Sequence, residues 1–191
     1  RLILGLLINS NKSLKVIGDK SLSKRDFKRV ADPLKKFGVK IKLSKNKNLP
    51  LTIKGTIKSK PIRYYEKKGS AQCKSSVILA GLRTDGKTLI KAKKSRDHTE
   101  RLCKYLKLPV KVKKQKKFDL ITVNKAKKIK PFNYKIPSDI SSSAFFIALA
   151  CLVKNSKLTI RKVNINPTRI GLLTILKMMG LKIIFKNKTI Y

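Results

Sequence analysis

The sequence predicts an α/β fold of repeated units, with apolar helices inside and sheets wrapped around them. Three observations carry this reading. Segments 2–30, 77–106 and 146–176 share one order of parts: an apolar helix, a turn rich in Asn, Asp, Gly or Ser, a short strand, and a second helix. Their strand leucines, Leu14, Leu89 and Leu158, are spaced by 75 and 69 residues, which marks an internal repeat. The two helix types also differ in kind. "SSVILAGL" and "AFFIALACLV" are apolar all round and so call for protein on every side, whereas Phe27, Val30, Ala31, Leu34 and Phe37 form one stripe of an amphipathic helix.

Taken in chain order, "RLILGLLINS" reads as a helix joined in its middle, because it is apolar, too short to span a bilayer and lacks an initiator Met. The chain is therefore expected to begin inside a domain, as a fragment or a cleaved product would. A strand around Leu14 follows, then the amphipathic helix, in which Asp32-Pro33 is expected to restart or kink the run. "FGVKIKL", "LKLPVKVK" and "MGLKIIF" each place a helix stop before a Lys-alternating strand, with Gly38 and Gly180 available as left-handed caps. "LPLTIKG", "KPIRYYE" and "FDLITVN" supply further strands between units.

With 191 residues and 41% hydrophobic content, the chain can build a real core. A net charge of +40 first suggests a basic nucleic-acid-binding module. Against that, the lysines are spread almost evenly and the aromatics, at 6% with no Trp, offer little stacking surface. Only 9 of the 49 basic residues are arginine. In so Lys-rich a background an Arg marks a place that needs a planar two-pronged donor. Cys73, Cys103 and Cys151 lie far apart with one His in the chain, which argues against zinc or disulfide frameworks and for thiols in a reducing cytosol.

Small hydroxyl residues recur at helix starts: Ser21 and Ser23, Ser70, Ser95, Ser138 and Ser141 to Ser143. Each alone reads as a routine N-cap. Several together, with Arg25 and Arg96 nearby, point to a small polyanion bearing phosphate, because free N–H groups and the positive dipole end attract anions. "KKSRDHTERL" gathers rare residues: the single His98, Asp97, Glu100, Arg96 and Arg101. His98 fits a structural first-turn role, and the two acids suit a helix N-terminus, which leaves the arginines unexplained.

"GDKSLSKRDFKRV", "GSAQCKSSVILAGL", "KSRDHTERL", "PSDISSSAFFIALA" and "NPTRIGLLTILKMMG" together resemble, in order and over nearly the whole chain, the 3-phosphoshikimate 1-carboxyvinyltransferases, or EPSP synthases. The UDP-N-acetylglucosamine enolpyruvyl transferases share the repeated fold but not the "SRDHTER" signature, and stand with the nucleic-acid module as alternatives. The resemblance implies part of an inside-out α/β barrel of enolpyruvyl transferase type. Residues 1–137 would be most of the first domain, truncated at its start; residues 138–191 would hold the crossover and the first unit of the second, truncated at its end.

The implied reaction moves the enolpyruvyl group of phosphoenolpyruvate to the 5-hydroxyl of shikimate 3-phosphate, by addition and elimination with loss of phosphate. No metal or organic cofactor is implied, and neither a nucleic acid nor a membrane is a partner; the full-length enzyme would be a cytoplasmic monomer. Residue by residue, Ser70, Ala71 and Gln72 resemble the segment that holds shikimate 3-phosphate, and Ser95 and Arg96 a second set of contacts to it. Arg25 resembles the arginine that grips phosphoenolpyruvate, which Gln72 would also touch. Asp26-Phe27 replaces the usual Pro-Met, Gly69 a commoner Ala and Ser138 the usual Gly. The catalytic residues are expected outside this chain, in the missing amino-terminal and carboxy-terminal parts, so this piece alone should bind weakly and catalyse nothing.

Overall fold

A computed structural model describes residues 1–186, 189 and 190. The chain divides into two compact units, Arg1–Lys130 and Pro131–Tyr191, a division seven residues ahead of the expected boundary at 137/138.

The first unit opens on a 3-10 helix, Leu2–Asn9, where the sequence suggested an ordinary helix. Leu4 and Ile8 of this segment are fully buried. Gly5 explains how closely it packs: a Cβ there would stand 2.1 Å from the Ser76 carbonyl oxygen. Strand β1 (Ser13–Val16) follows, then a short helix α1 (Lys20–Ser23), helix α2 (Lys28–Lys35), and strands β2 (Lys40–Lys42) and β3 (Leu51–Lys54). The stripe Phe27, Val30, Ala31, Leu34 and Phe37 is buried throughout, as its spacing demands. Asp32-Pro33 does not restart the helix; α2 runs through with Pro33 buried inside it.

The second repeat is complete: β4 (Arg63–Glu66), α3 (Ala71–Gly81), β5 (Lys87–Lys93), α4 (His98–Tyr105), β6 (Val110–Lys114) and β7 (Phe118–Asn124). Its sheet has the order β4-β5-β7-β6, with β4 and β5 parallel and the other pairs antiparallel. The earlier sheet, β1-β3-β2, is the same arrangement without a counterpart of β4. Inward residues pair across β5 and β7 as Thr88 with Val123 and Ile90 with Ile121, while the alternate lysines Lys87, Lys91 and Lys93 face solvent. Helix α3 packs on the 3-10 helix, α2, α4, β5 and β7, and its Val77, Ile78 and Ala80 have no exposed surface.

The second unit repeats the plan in reduced form. Helix α5 (Ile140–Leu152) takes the place of α3, and α6 (Gly171–Met178) that of α4. A parallel bridge joins Ser138 to Val163 and an antiparallel one joins Ile160 to Ile190, matching the β4-β5 and β5-β7 pairings. Two-residue strands β8 (Phe185–Lys186) and β9 (Thr189–Ile190) close it. Ser138 sits in an extended pairing, its N–H donating to the Lys162 carbonyl, so a residue with a side chain fits where Gly is usual. Gly38 and Gly180 hold φ of 96° and 92° after their helices, as expected. After α4 the same left-handed position falls to Lys107, φ 53°.

Candidate functional site

The first unit brings the start of α3 next to the segment that enters α4. Ser70 is the N-cap of α3; its hydroxyl accepts from the Cys73 N–H at 3.3 Å. The Ala71 and Gln72 N–H groups, within the first turn, have no intrahelical acceptor and remain available to an anion. Residues Ser70, Ala71 and Gln72 are half-buried, so the helix start is reachable. The loop before it is shaped by Glu66, buried at the end of β4, whose carboxylate accepts from the Ser70 N–H at 2.9 Å and the Lys68 N–H at 3.2 Å. Gly69 turns the chain at φ 69°, where a Cβ would meet the Lys94 carbonyl oxygen at 3.2 Å. Gly in place of Ala relieves that left-handed residue.

The Lys94 contact already puts the second candidate segment beside the first, and Lys74 tightens it. From within α3, Lys74 Nζ donates to the Arg96 carbonyl oxygen at 3.0 Å and pairs with Glu100 Oε1 at 2.6 Å. The two charged side chains are 1% and 6% exposed. At that depth, removing one partner alone strands a charge, at a cost of about 3–5 kcal/mol. Next to this pair, Thr99 donates its hydroxyl to Ser75 Oγ at 2.6 Å. Glu100 is therefore a buried ion partner and not simply a favourable charge at a helix start. Asp97 accepts from Arg101 Nε through both carboxylate oxygens at 3.0 Å, which accounts for that arginine. His98 is the first residue of α4 and exposed. Arg96 is exposed, whereas the Ser95 hydroxyl is buried without a hydrogen-bond partner among the described residues.

Arg25 lies between α1 and α2, exposed, and no hydrogen bond or ion pair joins its side chain to the α3 start among the described residues. The bridge is Arg1. Its Nη1 donates to Gln72 Oε1 at 3.0 Å, and its guanidinium lies 5.4 Å from the centre of the Phe27 ring. The Asp26-Phe27 pair gains a reason from this. Asp26 Oδ1 accepts from the Lys28 N–H at 2.8 Å and so caps the start of α2, while buried Phe27 gives Arg1 its platform. An Arg can only donate, so the Gln72 amide must turn its oxygen toward Arg1 and leave its NH2 facing away as a donor.

Sequence reasoning passed over Lys74, Glu66 and Arg1. The signal for Lys74 was visible: it is the single charge in an otherwise uncharged helix. Glu66 is one of only nine acids, placed where a strand meets a serine-rich helix start. Arg1 falls among the nine arginines that the composition itself singles out.

The three cysteines are free thiols, and burial, followed by the Glu100 charge, pushes the Cys103 thiol up to about 11. Burial, then the neighbouring Cys73 and Glu66, also pushes up the Tyr64 phenol, against a smaller opposing effect of Arg29.

A repeated unit of strand, helix, strand, helix and two strands, with helix starts that gather hydroxyl, amide and guanidinium groups, defines the class of enolpyruvyl transferase-type folds. Among solved structures, the EPSP synthase of Acinetobacter baumannii superposes with TM-score 0.78 at 34% identity, over 99% of this chain and 43% of that one. The enolpyruvyl transferase NikO of Streptomyces tendae shares the fold, with TM-score 0.72 at 14% identity. The sequence profile of "EPSP synthase (3-phosphoshikimate 1-carboxyvinyltransferase)" matches residues 1–190. The chain belongs to the EPSP synthase family. The 3-phosphoshikimate 1-carboxyvinyltransferase of Endomicrobium trichonymphae is 44% identical over 188 residues, 98% of this chain and 43% of that protein. That of Leuconostoc mesenteroides is 41% identical over 96% of this chain and 42% of that protein. The chain thus spans less than half the length of the relatives it matches.

Proposed function

We propose that the protein containing this chain transfers the enolpyruvyl group of phosphoenolpyruvate to the 5-hydroxyl of shikimate 3-phosphate, releasing inorganic phosphate. The observation that carries this reading is the juxtaposition of two anion-suited segments, Ser70–Gln72 at the start of α3 and Ser95–Arg96 before α4, held together through Lys74 and the close approach of Gly69 to Lys94. Membership of the family supplies the reaction; the segments supply a seat for a phosphorylated acid.

In this reading, Ser70 Oγ and the free N–H groups of Ala71 and Gln72 hold shikimate 3-phosphate from one side, and Ser95 and Arg96 from the other. Arg25 grips phosphoenolpyruvate. Gln72, its amide turned by Arg1, offers its NH2 to both ligands. Proton transfers in the addition and elimination steps fall to residues outside this chain. The compartment is the cytoplasm, in keeping with three free thiols, and the full-length enzyme acts as a monomer on small molecules and not on nucleic acid. No helix among the described residues is long and apolar enough to cross a membrane.

Phosphate release is the direct test, using the full-length protein with phosphoenolpyruvate and shikimate 3-phosphate. Release that depends on both substrates is expected. Release with UDP-N-acetylglucosamine in place of shikimate 3-phosphate, or none with either, refutes the assignment.

A further inference from the structure

We propose that Lys74 is a positioning residue that locks the Ser95–Arg96 segment onto the start of α3, so that its ammonium, without touching a ligand, sets the affinity for the phosphorylated acid. The inference rests on the reading above, which places that ligand between the two segments.

A buried ion pair is seldom the most stable filling for a core; apolar side chains of the same volume do as well or better. Lys74 and Glu100 nonetheless stand as a buried pair between α3 and α4, where every helix residue from Cys73 to Ile78 is buried. Stability alone does not account for them. What an apolar pair lacks is a donor for the Arg96 carbonyl oxygen, which Lys74 Nζ meets at 3.0 Å. That bond fixes the peptide plane following Arg96, and through it the direction in which the exposed guanidinium and the Ser95 hydroxyl are offered. Glu100 has a different part: it holds the ammonium in place at 2.6 Å, and its second oxygen, Oε2, is without a partner among the described residues. The neighbouring Ser75–Thr99 hydrogen bond and the Gly69–Lys94 approach keep the backbones adjacent whether or not Lys74 is there. Lys74 therefore adds orientation to a contact that the fold already makes.

The full-length protein is compared with Lys74→Met/Glu100→Met, which removes both charges at nearly conserved volume, and with Glu100→Gln, which leaves the Lys74 donor. Thermal midpoint, calorimetric affinity for shikimate 3-phosphate, and the KM of each substrate are measured. The double variant should melt at or above the parent and lose about 10-fold or more in shikimate 3-phosphate affinity, with the phosphoenolpyruvate KM changed less than about threefold. Glu100→Gln strands the Lys74 charge and should melt below the parent. Its amide oxygen can still accept from Nζ and the Arg96 bond stays, so shikimate 3-phosphate affinity should hold within about threefold; a loss as large as in the double variant overturns the inference. A stable double variant that binds as the parent does overturns the inference. If the double variant does not fold, Lys74→Met/Glu100→Gln is judged by the same criteria, and loss of folding in both assigns the pair a structural role only. A parent protein without saturable binding of shikimate 3-phosphate fails the functional reading itself, a result separate from either of these.

Discussion

Helices α3 and α5 occupy equivalent places in successive repeats, and their sequences look alike: both are apolar with no polar stripe, and both start behind a capping Ser or Asp. Their surroundings differ. Along α3, eight of eleven residues are buried, from Cys73 to Gly81, whereas along α5 only Ile140 and Ile147 are. Phe145 is 82% exposed and Leu152 84%. The difference lies in the neighbours within each unit. The 3-10 helix, α2, α4, β5 and β7 all cover α3, while α5 shares a small core with Val163, Leu173 and Ile190. An apolar circumference states what a helix needs around it; the number of elements in its own unit determines how much of that it receives.

The contrast yields measurements of decreasing size. Truncating Ile78 to Ala should cost about 2–5 kcal/mol in urea unfolding of the 191-residue chain, through lost burial and the cavity left behind. Phe145→Ala should stay within about 0.5 kcal/mol. An equal cost at both sites would show that α5 is as enclosed as α3.

Glycines make the same comparison through the backbone. Gly5→Ala drives a Cβ against the Ser76 carbonyl and should cost about 1–3 kcal/mol. At Gly171, where nothing lies within 4 Å of the added Cβ, the change to Ala should be neutral or stabilise α6 by up to about 1 kcal/mol. Destabilisation at Gly171 comparable to that at Gly5 would mean that α6 is packed far more closely than it appears.

The smallest effect separates the two caps. Ser70 caps α3 with a hydroxyl that does not titrate in the working range, whereas Asp139 caps α5 with a carboxylate. The Ser141 N–H, followed by Arg169 and Ser142, holds Asp139 below its ordinary value of 3.8 despite some opposing desolvation. A depressed folded value means that its stabilisation is fully present above that ordinary value and disappears as pH falls through the folded one. Asp139→Ala should therefore cost about 0.5–1 kcal/mol at neutral pH and measurably less once the carboxylate is protonated, when only a neutral acceptor is lost. Helicity of α5 followed by amide exchange against pH reads this directly; a pH-independent cost would rule the carboxylate out as the cap.

Where a feature follows from local spacing, it was legible in advance. The stripe from Phe27 to Phe37, the strand "FDLITVN" and the internal repeat follow from periods of about 3.6, of two and of about seventy residues, and the left-handed glycines from their place just past a helix end. The Asp32-Pro33 pair does not stop the helix although Pro33 is the sixth of its eight residues and can donate no N–H; burial of Val30, Ala31, Pro33 and Leu34 on one face holds the run together. The candidate site divides in the same way. Ser70, Ser95 and Arg96 stand out as residue types at helix starts, and Ala71 and Gln72 only through the family resemblance, but their adjacency depends on contacts across many residues.

By itself, the amino-acid sequence determined the type and order of most elements, because these depend on neighbours a few positions apart, and the repeat, because it recurs along the chain. Tertiary structure alone decided that Lys74 reaches the Arg96 carbonyl and Glu100, that Arg1 meets Gln72 over Phe27, and that α3 is enclosed while α5 is not. The physical reason is that ion pairing, cation–π contact and burial depend on distance in space, and chain spacing constrains that distance only within an element.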